Sequence, residues 1–141
     1  MDNISAREVG TTTGRNRRLA WFDVPMVKKA IQLNGVSSLA LMKLDILDMV
    51  PVIKICTGYT FKGERIDALP SLASDWEHLE PIYEFFPGWQ QTTSHVKSRE
   101  DLPTHAKNYL KRLEELCGCP ISLISFGPER DKTIVLHPFM D

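Results

Sequence analysis

The chain has 141 residues and a mass of 16.0 kDa, which favours a single domain spanning residues 1–141. Its net charge is −1 with 25% charged residues, so the overall charge does not favour nucleic acid as a partner. No apolar run approaches the roughly 20 residues that cross a bilayer, and we therefore expect a cytoplasmic protein with no membrane partner.

The first predicted helix follows a polar N-terminal segment. Residues 1–18 are rich in Thr, Gly and Arg, and we expect them to form an irregular, exposed and mobile substrate loop. Asp23 and Pro25 then mark a helix start, because an acidic cap and an early proline both suit the first turn. Gly35 marks the end of this helix after Asn34.

Apolar runs predict the next elements. Residues 38–44 are typical of a buried strand, and residues 46–49 of a short helical turn. Residues 52–61 favour a strand, and the break at 62–64 predicts a hairpin to a returning strand at 66–69.

The second half begins with a weaker pattern. Ser74 or Asp75 is a candidate cap for a short helix that carries Trp76 and Leu79. Residues 81–89 are aromatic and contain a Pro-Gly pair, which favours core and turn.

The clearest element is a helix over residues 103–117. Its apolar side chains recur at helical spacing, at Ala106, Tyr109, Leu110, Leu113, Leu116 and Cys117. Strands are predicted at 120–125 and 133–136. Helices that alternate with strands indicate an α/β fold, which we expect to be a partial, mostly parallel sheet with flanking helices.

The first candidate site, the Thr/Arg segment, comprises residues 10–18. Guanidinium groups match carboxylate and phosphate oxygens two at a time, threonine hydroxyls add neutral donors, and Gly10 and Gly14 permit a sharp turn. This composition suits a multiply charged acidic ligand, but on this segment alone a solvated basic loop is the favoured interpretation. The segment is not a P-loop, because three residues rather than four separate its glycines.

The second candidate site, the base-recognition loop, is Lys43-Leu44-Asp45. It follows a predicted buried strand, and ligands bind at the carboxyl ends of such strands. A carboxylate there can accept hydrogen bonds from N1–H and the N2 amine of guanine, a donor pair that adenine lacks. The lysine stem can lie along the flat face of the base. The alternative is a surface ion pair or a helix cap at Asp45.

Ser125-Phe126-Gly127 follows another predicted strand and is a candidate wall for a base. An ordinary turn at the end of a strand is the alternative. The four histidines have no metal-ligand spacing, and Cys56, Cys117 and Cys119 lack a second cysteine pair, so we expect reduced thiols and no metal ligands.

Taken together, these segments resemble the adenylosuccinate synthetase family in order and spacing. The family has a Thr-Thr-Gly-Arg-x-Arg-Arg loop, a Trp-x-Asp segment and a Thr-Lys-Leu-Asp-Val-Leu-Asp segment. Their counterparts here are residues 12–18, residues 21–23 and residues 42–48. Further similar segments are 31–34, 80–84, 87–89, 108–116 and 127–130.

The resemblance implies a GTP- and Mg²⁺-dependent ligase that joins IMP to L-aspartate and forms adenylosuccinate, GDP and phosphate. It implies contacts with aspartate from Thr11, Thr12, Thr13, Gly14, Arg15, Asn16 and Arg17. Arg15 would also reach IMP, and Arg17 the γ-phosphate of GTP. The implied GTP contacts are completed by Lys43, Leu44, Asp45, Ser125, Phe126 and Gly127. The full enzyme is expected to be a homodimer.

Two features depart from the family pattern. Met42 replaces the usual threonine before Lys43. The family's phosphate loop, its Mg²⁺-binding aspartate and its catalytic histidine have no counterpart, so the resemblance covers roughly the last third of a larger P-loop-like GTP-dependent synthetase fold. We therefore expect no catalytic residue in this chain, no activity of the chain alone, and exposed apolar surface that favours self-association. The alternative is a non-catalytic module that binds guanine nucleotides or other proteins.

Overall fold

The computed structural model describes residue 10, residues 12–16 and residues 19–136. Strands and helices alternate in this range. The strands are β1 (Phe22–Asp23), β2 (Leu39–Leu41), β3 (Val52–Phe61), β4 (Glu64–Ile66), β5 (Leu79–Pro87), β6 (Ile121–Ser125) and β7 (Thr133–Val135). The α-helices are α1 (Val24–Asn34) and α2 (Thr104–Cys117), and short 3-10 helices span Leu44–Leu47, Ala73–His78 and Arg130–Lys132.

Helix α1 has the bounds that its sequence signals predict. The Asp23 carboxylate caps its first turn by accepting a 3.0 Å hydrogen bond from the Met26 N–H, and it also accepts one from the Tyr59 hydroxyl. Gly35 ends the helix in the left-handed conformation, with φ at 60°, and its N–H bonds to the Ile31 carbonyl. The predicted start and end of this helix are therefore confirmed.

The strands form two sheets. In the first, β5 pairs antiparallel along the whole of β3, while β1 (parallel) and β4 (antiparallel) pair with different parts of β3. In the second, β6 lies between β2, which is parallel to it, and β7, which is antiparallel. The sheets are therefore mixed, and the prediction of a mostly parallel sheet is not confirmed. A two-residue connection such as Lys62-Gly63 can only join antiparallel strands.

Several element bounds differ from the sequence predictions. The strand predicted at 38–44 stops at Leu41, because Lys43 adopts a left-handed conformation (φ 59°) and a 3-10 helix follows it. The returning strand of the hairpin is Glu64–Ile66 rather than 66–69. Leu72 rather than Ser74 or Asp75 occupies the N-cap position of the 3-10 helix near Trp76, and no side chain caps this helix. The aromatic run predicted as core and turn belongs mostly to β5, since it pairs with β3 up to Pro87.

One contiguous core joins α2 to both sheets. The helix buries the side chains of Ala106, Tyr109, Leu110, Leu113 and Cys117, as its periodicity predicts. These side chains share a core with β3, through Ile53 and Ile55, and with β6, through Ile121 and Ile124. All three cysteines are free and buried, and burial raises the pKa of Cys117 to about 11.

Large apolar side chains also lie on the surface. The most exposed of those described are Leu33, Met49, Leu72, Phe85 and Val135. Exposed apolar surface was expected, and self-association through it stays a prediction. Within the described range, no helix is long and apolar enough to cross a membrane.

Gly88 provides a test of how closely the backbone after β5 approaches the backbone before β3. A Cβ atom there would lie 1.7 Å from the carbonyl oxygen of Val50, which is backbone and cannot move aside cheaply. We predict that Gly88→Ala lowers the free energy of unfolding by about 3 kcal/mol, measured by urea denaturation. Gly118→Ala is the control, because Gly118 has positive φ but no atom within 4 Å of the added Cβ, and should cost about 1 kcal/mol. Equal losses for the two variants would contradict the close approach.

Candidate functional site

The base-recognition loop lies at an edge of the second sheet. It follows β2 directly, and Ser125 ends the neighbouring parallel strand β6. The backbone N–H of Lys43 donates a 3.0 Å hydrogen bond to the Ser125 hydroxyl oxygen. Because β2 and β6 are parallel, their carboxyl ends meet here, and the structure brings two of the predicted GTP-binding segments into contact.

Asp45 is the chemically distinctive residue of this loop. Its Oδ1 atom is buried and has no hydrogen-bond partner in the described part of the chain. Burial raises the pKa of Asp45 above its ordinary value of 3.8 and the charge of Asp48 raises it further, while a backbone hydrogen bond and the Lys43 charge oppose the shift. A buried acceptor without a donor costs free energy, so this oxygen is disposed to accept a hydrogen bond from a ligand.

Leu44 and Phe126, two of the residues for which the resemblance implies contact with GTP, contribute their side chains to the core. Their side chains are only 2% and 4% exposed and belong to the core. The N–H of Phe126 donates to the Lys132 carbonyl at 2.8 Å, which closes the turn after β6. Any contact of these two residues with a ligand must therefore come through the backbone.

Gly127 lies in the same turn and is half-buried. A Cβ added to Gly127 would lie 3.1 Å from the Glu129 carboxylate and 3.4 Å from the Lys132 side chain. The absence of a side chain therefore lets this turn close tightly beside Ser125.

A cavity of about 180 Å³ lies beside the base-recognition loop. Its lining is largely apolar and comes from Leu19, Ala20, Trp21, Phe22, Leu41, Met42, Lys43, Leu44, Ile46, Leu47 and Tyr109. Met42, which replaces the family's threonine, is 58% exposed. Residues 19–22, which line one side of this cavity, follow the Thr/Arg segment in the sequence.

The described part of the Thr/Arg segment is a compact exposed turn. The Gly10 N–H donates to the Arg15 carbonyl at 2.9 Å, and the Gly14 N–H donates to the Gly10 carbonyl at 2.8 Å. Gly14 has φ at 64°, a conformation that glycine adopts without strain. Residues 12–16 are all exposed, which leaves Thr12, Thr13, Arg15 and Asn16 accessible to a ligand. The predictions for Thr11 and Arg17 lie outside the described residues.

Asp48 is a residue near the site that the sequence analysis missed. Its side chain is 9% exposed and accepts hydrogen bonds from the Trp89 indole N–H at 2.9 Å and from the Thr93 N–H at 2.7 Å. The Thr93 hydroxyl donates to it at 2.9 Å. The signal in the sequence was an acidic residue, Asp48, within the largely apolar segment 44–50. Its hydrogen-bond partners could not be predicted, because they lie 41 and 45 residues away.

The described residues include no cluster of three or more His, Cys, Asp or Glu side chains that could hold a metal ion.

The chain resembles known proteins along most of its length. The family model for adenylosuccinate synthetase matches residues 3–134. A chloroplastic adenylosuccinate synthetase 1 from Ricinus communis is 53% identical over 134 residues, which cover 94% of this chain and 30% of that protein. The enzyme from Methanosarcina barkeri is 54% identical over 126 residues, which cover 89% of this chain and 30% of that protein.

A solved structure agrees with these sequence matches. A fully ligated adenylosuccinate synthetase from Plasmodium falciparum superposes with a TM-score of 0.88 at 34% identity, over 92% of this chain and 32% of that chain. The α/β fold class is thus confirmed. The chain spans about 30% of the length of the curated relatives it matches.

The raised pKa of Asp45 gives a prediction about stability. In the folded chain the charged form of the Asp45 carboxylate is disfavoured by burial. Above the folded pKa, ionised Asp45 therefore lowers the free energy of unfolding. This destabilisation disappears as the pH falls below the ordinary value of 3.8, where the carboxyl is protonated in both the folded and the unfolded chain. We expect Asp45→Asn to raise the free energy of unfolding at pH 7, with the gain shrinking toward pH 4, by urea denaturation. Asp131→Asn, at an exposed position, is the control. A loss of stability at pH 7 would contradict the cost assigned to Asp45.

Proposed function

The chain belongs to the adenylosuccinate synthetase family, and we propose from this that it supplies guanine recognition and the aspartate loop of such a ligase. The reaction joins IMP and L-aspartate at the expense of GTP and serves purine (AMP) biosynthesis. The observation that carries the proposal is the unpartnered, buried Asp45 oxygen at the carboxyl ends of β2 and β6.

Guanine fits the chemistry of this edge. The two oxygens of an ionised Asp45 can accept one hydrogen bond each from N1–H and the N2 amine of the base. Adenine has no such pair of donors and would leave the carboxylate unsatisfied, so the site discriminates against ATP. The proposed GTP-binding set is completed by Lys43, Leu44, Ser125, Phe126 and Gly127.

Ser125 supports recognition indirectly. Its hydroxyl accepts the hydrogen bond from the Lys43 N–H, and the left-handed conformation of Lys43 starts the turn that carries Asp45. The lysine stem is then available to cover one face of the base.

The Thr/Arg segment is proposed to close on L-aspartate through residues 11–17. Its exposed turn presents hydroxyl, amide and guanidinium donors, which suit the two carboxylates of this substrate. Arg15 is proposed to reach IMP as well, and Arg17 to stabilise charge on the γ-phosphate of GTP during transfer.

The chemical step requires parts that these 141 residues do not contain. No Gly-rich phosphate loop occurs in the sequence, and we propose that this loop, the catalytic residues and the Mg²⁺ ligands belong to the remainder of a larger P-loop-like fold. A homodimer of the full enzyme and a cytoplasmic location are part of the same proposal.

A non-catalytic guanine-nucleotide-binding or protein-interaction module is the second candidate. It is favoured because the hydrogen bonds that hold the base-recognition loop, at Ser125 and at Asp48, are all made within this chain. It differs from the first candidate only in whether a further polypeptide restores ligation.

The first test is binding of nucleotides to the purified chain. Calorimetric titrations with GTP, GDP and ATP should show binding of both guanine nucleotides and none of ATP. Asp45→Ala should abolish binding, because it removes both acceptors, while Asp131→Ala should leave it unchanged. If the chain binds none of the three, or binds ATP equally well, the proposed guanine site is wrong.

The second test concerns catalysis. The purified chain with IMP, L-aspartate, GTP and Mg²⁺ should form no adenylosuccinate, because the sequence offers no phosphate loop to hold GTP for attack. Product formation is followed by its ultraviolet absorbance. Turnover that is lost in Arg15→Ala but retained in a surface control, Lys29→Ala, would show that the chain is a complete catalyst.

A further inference from the structure

The carboxylate of Asp48 joins the segment before β3 to the segment after β5, the antiparallel partner of β3. These segments are residues 48–51, between β2 and β3, and residues 88–93. The Asp48 carboxylate takes three donors from the second segment, namely the Trp89 indole N–H, the Thr93 N–H and the Thr93 hydroxyl. The Gly88 N–H adds a 2.9 Å hydrogen bond to the Pro51 carbonyl. Trp89 and Thr93 are buried, so water does not compete for these bonds.

The backbone of Asp48 lies at one end of the base-recognition loop. The N–H of Asp48 donates to the Asp45 carbonyl at 3.1 Å, and the N–H of Ile46 donates to the Lys43 carbonyl at 3.3 Å. At the other end, the Lys43 N–H is bonded to Ser125. The turn that carries Asp45 is therefore fixed at both ends, at Ser125 and at Asp48.

We propose that Asp48, Trp89 and Thr93 are positioning residues for guanine recognition, which hold the Asp45 carboxylate toward the ligand. The inference rests on the proposed guanine site. Burying a charged carboxylate is costly, and an apolar side chain could fill the same volume without needing three donors. The hydrogen bonds of Asp48 give a fixed orientation to the turn that starts at Asp45, which an apolar side chain at position 48 could not do.

Thr93 offers a matched pair of variants. Thr93→Val keeps the shape of this fully buried side chain but removes the hydroxyl donor, whereas Thr93→Ser keeps the donor. In Thr93→Val we expect amide hydrogen exchange at Ile46 and Asp48 to accelerate about ten-fold, with exchange in α2 unchanged. The Kd for GTP should rise about ten-fold. Thr93→Ser should return both quantities to within about two-fold of the unsubstituted chain.

Trp89→Phe provides a second, independent removal of a donor to Asp48. The substitution removes the indole N–H and also part of the buried ring, so it combines loss of the donor with some loss of packing. It should reproduce the change in exchange at Ile46 and Asp48 and the weaker GTP binding.

The outcomes distinguish a failure of the positioning role from a failure of the proposed guanine site. If the unsubstituted chain binds no GTP, the proposed guanine site fails, and the role of the network in recognition fails with it. If the unsubstituted chain binds GTP and Thr93→Val binds it equally well, the positioning role alone is wrong. If exchange accelerates uniformly across the chain and Thr93→Ser does not restore it, Thr93 is only a packing residue and the inference is overturned.

Discussion

The arrangement of this protein depends on a buried carboxylate, that of Asp48, and on the donors that surround it. Asp48 lies just before β3, and its partners Trp89 and Thr93 follow β5, the antiparallel partner of β3 in the same sheet. A buried charge is stable only when its oxygens are hydrogen-bonded, so the segment before β3 and the segment after β5 must lie side by side. The absence of a side chain at Gly88 permits this approach, since its backbone lies against Val50.

Helix α2 contacts both sheets through polar side chains. Arg112 holds the Glu84 carboxylate of β5 at 2.9 Å. Glu114 accepts a 2.9 Å hydrogen bond from the Ile121 N–H at the start of β6. The apolar face of the helix provides the stabilising burial, and these two directional contacts fix where each sheet lies against it.

Recognition of a base needs few residues when the scaffold beneath them is rigid. The base-recognition loop presents one unsatisfied carboxylate oxygen, and its neighbours Leu44 and Phe126 are part of the core. In the proposed guanine site the backbone is already held by Ser125 and by the Asp48 network, so we expect binding to cost little conformational entropy. The functions proposed for the Thr/Arg segment are different in kind, since its described residues 12–16 are exposed.

Local signals in the sequence determined the bounds of α1, the buried face of α2, the long strand β3 and the identity of the family. Caps, periodicity and motif order act within a few residues of each other and are therefore visible in one chain. The direction of the strands, the continuation of β5 through an aromatic run and the burial of Leu44 and Phe126 were decided by tertiary structure. The partners of Asp48 were decided there too, because they lie more than 40 residues away and only the antiparallel pairing of β3 with β5 brings their donors to its carboxylate.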